Sequence, residues 1–193
     1  MALLIVDVQN DFCPGGALGV AGGDRIIPVI NRYIELLGGK GALVITSRDW
    51  HPPVTRHFQE FGGLWPAHCV AGTRGAMFHE GLALPPDSLI FSKGMDPERD
   101  DYSALSALDA GETPLSELLR QEGIGRLYVC GLATDYCVRQ TTLDALNEGL
   151  EIVVLTDAVA GVDLAPGDSK RALAEMRAGG ARLADYAEVA ADD

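Results

Sequence analysis

Short apolar runs alternate with segments of helical periodicity along the whole chain. ALLIVDV is an unbroken apolar run that passes into the turn-rich QNDFCPGGALGVAGG, the pattern of a strand buried on both faces. Runs of the same kind recur as GALVITS (41–47), SLIFSK (88–93), RLYVCG (126–131) and EIVVLTD (151–157), with GARLADY as a weaker sixth. Between them, DRIIPVINRYIELLGG places Ile26, Ile30, Tyr33, Ile34 and Leu37 on one helical face and stops at Gly38-Gly39. TPLSELLRQEG predicts a helix with Thr113 as N-cap and Pro114 in the first helical position. TDYCVRQTTLDALNEG predicts one that starts at Thr134 and stops at Gly149, and SKRALAEMRAGG (169–180) one that ends in a Gly pair. Strand followed by helix, repeated, predicts an α/β chain: a three-layer α/β/α arrangement around a six-stranded, mainly parallel, doubly wound sheet.

The length of 193 residues fits a single domain, 1–193, large enough to bury a core without disulfide staples. Two connections are long, about 49–87 and about 94–112, and long structureless connections in a compact chain are usually functional. A net charge of −13 argues against nucleic acid and anionic membrane as partners, since both require a basic surface. No apolar run approaches a membrane span, and MALLIVDVQNDF lacks the positive n-region of a secretory signal, so the cytoplasm is the expected location. The four cysteines, Cys13, Cys69, Cys130 and Cys137, are irregularly spaced and read as free thiols.

Sites in open α/β sheets form beyond the carboxyl ends of the strands. The first strand delivers Asp7 and Gln9 there, the second Ser47, Arg48 and Asp49, the third Lys93, and the fourth Gly131 followed by ATDYC. Cys137, three residues after Thr134, falls in a first helical turn, where free N–H groups and the helix dipole favour a thiolate or an oxyanion. Position alone leaves open a core thiol or a nucleophile. Asp7 is either a turn-capping residue or a general base, and Lys93 either an exposed strand-end lysine or the partner of Asp7. Together, thiol, carboxylate and ammonium form the set that an amide-cleaving cysteine enzyme needs. Cys130, inside a strand, is a core residue.

Three of the four histidines, His51, His57 and His68, crowd into RDWHPPVTRHFQEFGGLWPAHCV, with Asp49 two residues before the first. These are ligand types for one divalent transition metal ion such as Zn, Fe or Mn, although the spacing is not that of a zinc finger. Surface histidines gathered by chance are the competing reading. Trp50 and Trp65 flank the cluster as pocket walls or as plain packing, and His79 reads as surface.

LLIVDVQNDFCPGGALGV, SRDWHPP, WPAHCVAGTRGAMFH, FSKGMDPERDDYSA and VCGLATDYCVRQTTLDA, in that order, resemble the nicotinamidase/pyrazinamidase family of the cysteine-hydrolase (isochorismatase-like) superfamily. The resemblance covers most of the chain. It implies a catalytic triad of Asp7, Lys93 and Cys137 that hydrolyses nicotinamide to nicotinate and ammonia through a thioester. It implies an oxyanion hole from the backbone N–H groups of Ala133 and Cys137, with a cis peptide between Leu132 and Ala133. It also implies a metal held by Asp49, His51 and His68 that takes the pyridine nitrogen, and a ring pocket lined by Phe12, Leu18, Trp65 and Tyr102. His57 departs from the Ser common at its place and joins the ligand set as a fourth protein donor. Pyrazinamide is an expected second substrate, salvage of the NAD pyridine ring the expected role, and a homo-oligomer compatible with the family. Three alternatives stand beside this: an amidase of the same superfamily acting on carbamoyl or ureido compounds, a non-catalytic metal-binding module, and a hydrolase that needs the metal but not Cys137.

Overall fold

The computed structural model describes residues 1–192. All six expected strands form: β1 (Ala2–Val6), β2 (Leu43–Asp49), β3 (Leu89–Lys93), β4 (Arg126–Leu132), β5 (Glu151–Ala160) and β6 (Arg182–Ala184). They make one sheet in the order β3-β2-β1-β4-β5-β6, and every pairing is parallel. Helices α1 (Ile27–Gly39), α2 (Leu115–Gln121), α3 (Arg139–Asn147), α4 (Asp168–Ala178) and α5 (Tyr186–Ala191) connect or follow them.

The side-chain alternation of β1 divides the core in two. Leu3 and Ile5 pack with Ile27, Ile30, Ile34 and Leu37 of α1 and Val189 of α5. Ala2, Leu4 and Val6 pack on the other face with Leu115 and Leu119 of α2, Ala145 of α3 and Met176 of α4. Burial on both faces is why these strands read as unbroken apolar runs. Each fully buried Leu or Ile contributes roughly 1.5–3 kcal/mol of transfer free energy. Strand order reverses beside β1: the chain moves outward through β2 to β3, then crosses back to place β4 on the free edge of β1. A crevice opens at such a switch point, beyond the carboxyl ends of β1 and β4. The two strands approach closely there. Gly131 has φ +112°, and a Cβ on it would stand 2.1 Å from the Val6 carbonyl oxygen, so no other residue fits.

Several boundaries differ from expectation. Helix α2 begins at Leu115 with Pro114, at ψ 147°, as its N-cap residue, because proline's fixed φ suits an extended cap as well as a first helical turn. The segment expected to open as an α-helix at Thr134 is instead a π-helical turn over Thr134–Val138, flanked by Ala133. Strand β5 runs on to Ala160, its extension pairing with Gly131 and Leu132 after a register shift. Helix α5 was not expected, although Asp185 and Glu188 form a complete capping box and spell its start. Among the described residues no helix is long and apolar enough to cross a membrane.

The connection from β2 to β3 contains one short 3-10 turn, Gln59–Phe61, and is otherwise irregular. Polar side chains from the β1 end hold it in place. The Gln9 amide donates to the carbonyls of Asp49 and Ala76, both at 2.8 Å, and accepts from the Asp49 N–H. Asp11 Oδ2 accepts from the Cys69 N–H at 2.7 Å.

Candidate active site

Asp7 follows the last residue of β1 with φ +50°, a left-handed conformation that Asp tolerates better than bulky residues do. Its N–H still reaches the Ser47 carbonyl, and the turn carries its carboxylate inward to complete burial. Lys93 ends β3 and is buried to 1% exposure. Its ammonium lies 2.9 Å from Asp7 Oδ2, donates to Asp49 Oδ1, and stands 3.4 Å from Cys137 Sγ. Cys137, in the π-helical turn after β4, is 6% exposed. Ser47 Oγ donates to Asp7 Oδ1 at 2.7 Å, while Asp7 Oδ2 has the ammonium beside it but no aligned hydrogen bond. One carboxylate oxygen is thus fixed by Ser47, and an Asp7 oxygen lies within 4.8 Å of the Cys137 sulfur.

Burial is the largest single influence on each of these four groups, and neighbouring charges reverse it at Asp49 and Lys93. It raises the Asp7 carboxyl above the usual range, with Asp49 adding and Lys93 and Ser47 opposing. Burial, reinforced by Asp7 and Asp49, pushes the Cys137 thiol well up against the pull of Lys93. Burial would likewise raise Asp49, but Lys93 and His51 outweigh it and hold that carboxyl well below its ordinary value. Burial opposes the charge on Lys93, yet its two carboxylate neighbours keep it firmly protonated. The resting site is therefore a neutral thiol beside an unusually basic carboxylate.

His51, His57 and His68, far apart in the loop, converge with ring centroids 4.6–5.3 Å apart. Each turns Nδ1 outward: His51 to the Gly94 carbonyl at 3.0 Å, His68 to the Pro66 carbonyl at 2.8 Å, and His57 to Asp100 Oδ1 at 2.5 Å. Carbonyl and carboxylate oxygens accept only, so Nδ1 carries the proton and Nε2 presents a lone pair. Asp49 Oδ2 lies 3.6 Å from His51 Nε2 and 4.0 Å from His68 Nε2. His51 Nε2 is buried without a hydrogen-bond partner, which is costly unless something accepts its lone pair. One ligand atom from each histidine lies within 4.8 Å of the others, so the donor set fits a divalent transition metal ion. Gly94 makes room for this arrangement: its φ is +70°, and a Cβ there would come within 2.4 Å of His51 Cε1.

The Cys137 thiol and the imidazoles of His57 and His68 share one cleft. Phe12, Leu18, Trp65 and Tyr102 line it, together with Asp49, His57, His68, Ala133 and Cys137. Trp65 Nε1 donates to the Tyr102 hydroxyl at 3.0 Å, which stiffens that wall. The peptide between Leu132 and Ala133 is cis, as the resemblance implied.

An isochorismatase domain model matches residues 1–188. The chain belongs to the isochorismatase family. Within it the chain stands in the nicotinamidase/pyrazinamidase group and is an enzyme of that hydrolase type. A nicotinamidase of Escherichia coli is 42% identical over 97% of this chain and 95% of its own length. A nicotinamidase/pyrazinamidase of Mycobacterium tuberculosis is 41% identical over 94% of this chain and 97% of its own. The zinc complex of a pyrazinamidase from Pyrococcus horikoshii superposes with TM-score 0.87 at 47% identity, covering 96% of this chain and 98% of that one.

Some members of this isochorismatase-family site were not foreseen. Tyr136 lines the cleft and meets Trp65 edge-on at 4.9 Å. Val162 lines it too, held by Asp135, whose carboxylate accepts from the N–H groups of Val162 and Asp163. ATDYC was singled out for its cysteine, but nothing in the sequence says which way its tyrosine faces. Trp50, a candidate wall, is absent from the cleft lining and instead carries the Arg48 guanidinium over its ring at 3.8 Å. His79 is half-buried, not free on the surface, and its Nδ1 accepts from the Gly81 N–H. All four cysteines are free and buried.

Proposed function

We propose that the enzyme hydrolyses nicotinamide to nicotinate and ammonia through a thioester on Cys137, and that it cleaves pyrazinamide in the same way. One observation carries this reading: a single aromatic-walled cleft is lined by Cys137, which has Lys93 and Asp7 buried behind it, and by Asp49, His57 and His68 of the imidazole cluster. The names of the relatives support the substrate. A divalent transition metal ion (zinc, iron or manganese) held by Asp49, His51, His57 and His68 would offer a Lewis-acid contact for the pyridine nitrogen. Phe12, Leu18, Trp65 and Tyr102 sandwich the ring and exclude water, so that the carboxamide meets Cys137. Positioning of this kind contributes at most roughly 7–11 kcal/mol.

Asp7 Oδ2 takes the proton of Cys137 as Sγ bonds to the amide carbon. Backbone N–H groups of Ala133 and Cys137 receive the oxyanion. Asp7 returns the proton to the leaving nitrogen as the C–N bond breaks and ammonia departs. In the second half Asp7 takes a proton from water, whose oxygen bonds to the carbonyl carbon. The C–S bond then breaks and the proton returns to the thiolate. Lys93 keeps its charge throughout and compensates the anion, whether on Asp7 or on sulfur. Salvage of the pyridine ring is the role this product suits.

Ammonia release from nicotinamide, measured as isolated, after chelation and after return of single metals, tests the proposal. Activity that falls on chelation and returns with metal supports both halves. Activity indifferent to thorough chelation removes the metal from the reading, and inactivity with every metal directs the search to carbamoyl substrates.

A further inference from the structure

The three imidazoles are not held alike. His51 and His68 give Nδ1–H to backbone carbonyls of Gly94 and Pro66, whereas His57 gives its own to a carboxylate, Asp100 Oδ1, at 2.5 Å. Asp100 belongs to the second long connection, and that connection grips the stretch around His57 at several points. The Thr55 hydroxyl and the Arg56 N–H both donate to the Pro97 carbonyl, at 3.2 and 2.9 Å, and Arg56 Nη1 reaches Glu98 Oε2 at 3.0 Å. His57 itself is 5% exposed, and its ring stacks on His51 with centroids 4.6 Å apart and planes 20° from parallel. Its tautomer and its tilt about the ring axis are therefore set by Asp100 on one side and by His51 on the other.

We propose that Asp100 is a positioning residue of the metal site, fixing His57 as a ligand through Nε2. The inference rests on the reading of the histidine cluster as a metal centre. A metal-bound imidazole commonly gives its other N–H to an oxygen acceptor, which fixes the ring and raises its basicity. Asp100 supplies that acceptor from outside the ligand loop, so it fastens the two long connections to each other through the ligand. The Asp100 side chain is 61% exposed, so water screens its charge and the hydrogen bond itself, holding the tautomer, carries the effect.

The test is zinc affinity, measured on metal-stripped protein by competition with a chromophoric chelator, with the Co²⁺ absorption spectrum as a second readout of ligand number. Asp100→Ala should weaken zinc binding about 10–100-fold and alter the Co²⁺ spectrum. Asp100→Asn, which keeps an acceptor oxygen, should stay closer to the wild type. In a His57→Ala background Asp100→Ala should cost nothing more, because its effect passes through His57. Unchanged affinity in Asp100→Ala, beside a loss in His57→Ala, overturns the proposal. So does an equal loss with and without His57, which would mark a general charge effect. If the wild type itself takes up no zinc or cobalt, the reading of the cluster as a metal centre fails instead.

Discussion

Replacing Lys93 by Met tests the electrostatic construction of the site most directly. The ammonium is buried beside Asp7 Oδ2 at 2.9 Å and bonded to Asp49 Oδ1, so two carboxylates share one cation and the trio carries a net charge of −1. Methionine fills a similar volume but leaves two buried carboxylates facing each other, a net of −2. Removing one partner of a buried ion pair costs about 3–5 kcal/mol, because the remaining charge loses its compensation. At a urea m-value of roughly 2 kcal/mol/M, the unfolding midpoint of metal-free protein should fall by about 1.5–2.5 M. The penalty should shrink as pH falls, since a carboxyl whose folded pKa is raised takes up a proton on folding and is relieved by acid. Asp49→Asn should cost less in the Lys93→Met background than in the wild type, because it then removes a repulsion. Nicotinamide hydrolysis should drop at least about 100-fold, as when a preorganised electrostatic group is lost. A stability loss under about 1 kcal/mol, or an equal cost of Asp49→Asn in both backgrounds, would refute the shared-cation account.

Four further outcomes follow from the geometry. Cys137→Ala should abolish hydrolysis with every metal and leave zinc affinity intact; residual metal-dependent turnover would point to a hydrolase that does without the thiol. Ser47→Ala removes the 2.7 Å bond to Asp7 Oδ1, worth about 1.5–3 kcal/mol for a charged acceptor, and should lower kcat more than it changes KM in steady-state assays. Gly94→Ala places a Cβ within 2.4 Å of His51 Cε1 and should weaken zinc binding, measured by chelator competition, more than it lowers the unfolding midpoint. In metal-free protein, burial, opposed by Asp49, lowers His68 from 6.5 to about 4; the unfolded chain then binds more protons, so stability should fall as pH drops from about 6.5 to 4, by on the order of 3 kcal/mol for this group. Acid titrations of the unfolding midpoint check the last, and a flat profile across that window contradicts it.

The sheet was legible because burial on both faces leaves unbroken apolar runs, and strand ends such as Asp7 and Lys93 announce themselves by placing charge where such a run stops. The direction of each connection was not legible in composition, yet parallel pairing follows once helices separate the strands. What the sequence concealed depends on orientation. Tyr136 and Trp50 are equally good aromatic candidates on paper, and only the π-helical turn after β4 and the stacking of Arg48 send one into the cleft and the other away. Ser47 was noted at a strand end, but its bond to Asp7 requires the left-handed turn at Asp7, which no local pattern signals. Asp100 lies among ordinary acidic residues of KGMDPERDDY, and its contact with His57 joins two loops distant in sequence. Helix α5 was missed although its capping box was readable, because a six-residue helix has too few turns to show periodicity.

The position of β1 has a consequence for how the chain is made. Ala2 pairs with Leu43 on one side and with Leu127 on the other. During synthesis β2 can reach β1 early, but the second edge of β1, wholly apolar, stays open until β4 has left the ribosome. An unpaired apolar edge is a template for association with other chains, and contacts between distant segments form slowly. Nascent chains halted before β4 should therefore be the aggregation-prone species. The same pairing that seals that edge also brings the turn of Cys137 against Asp7, so the strand pair that ends the hazard assembles the candidate site.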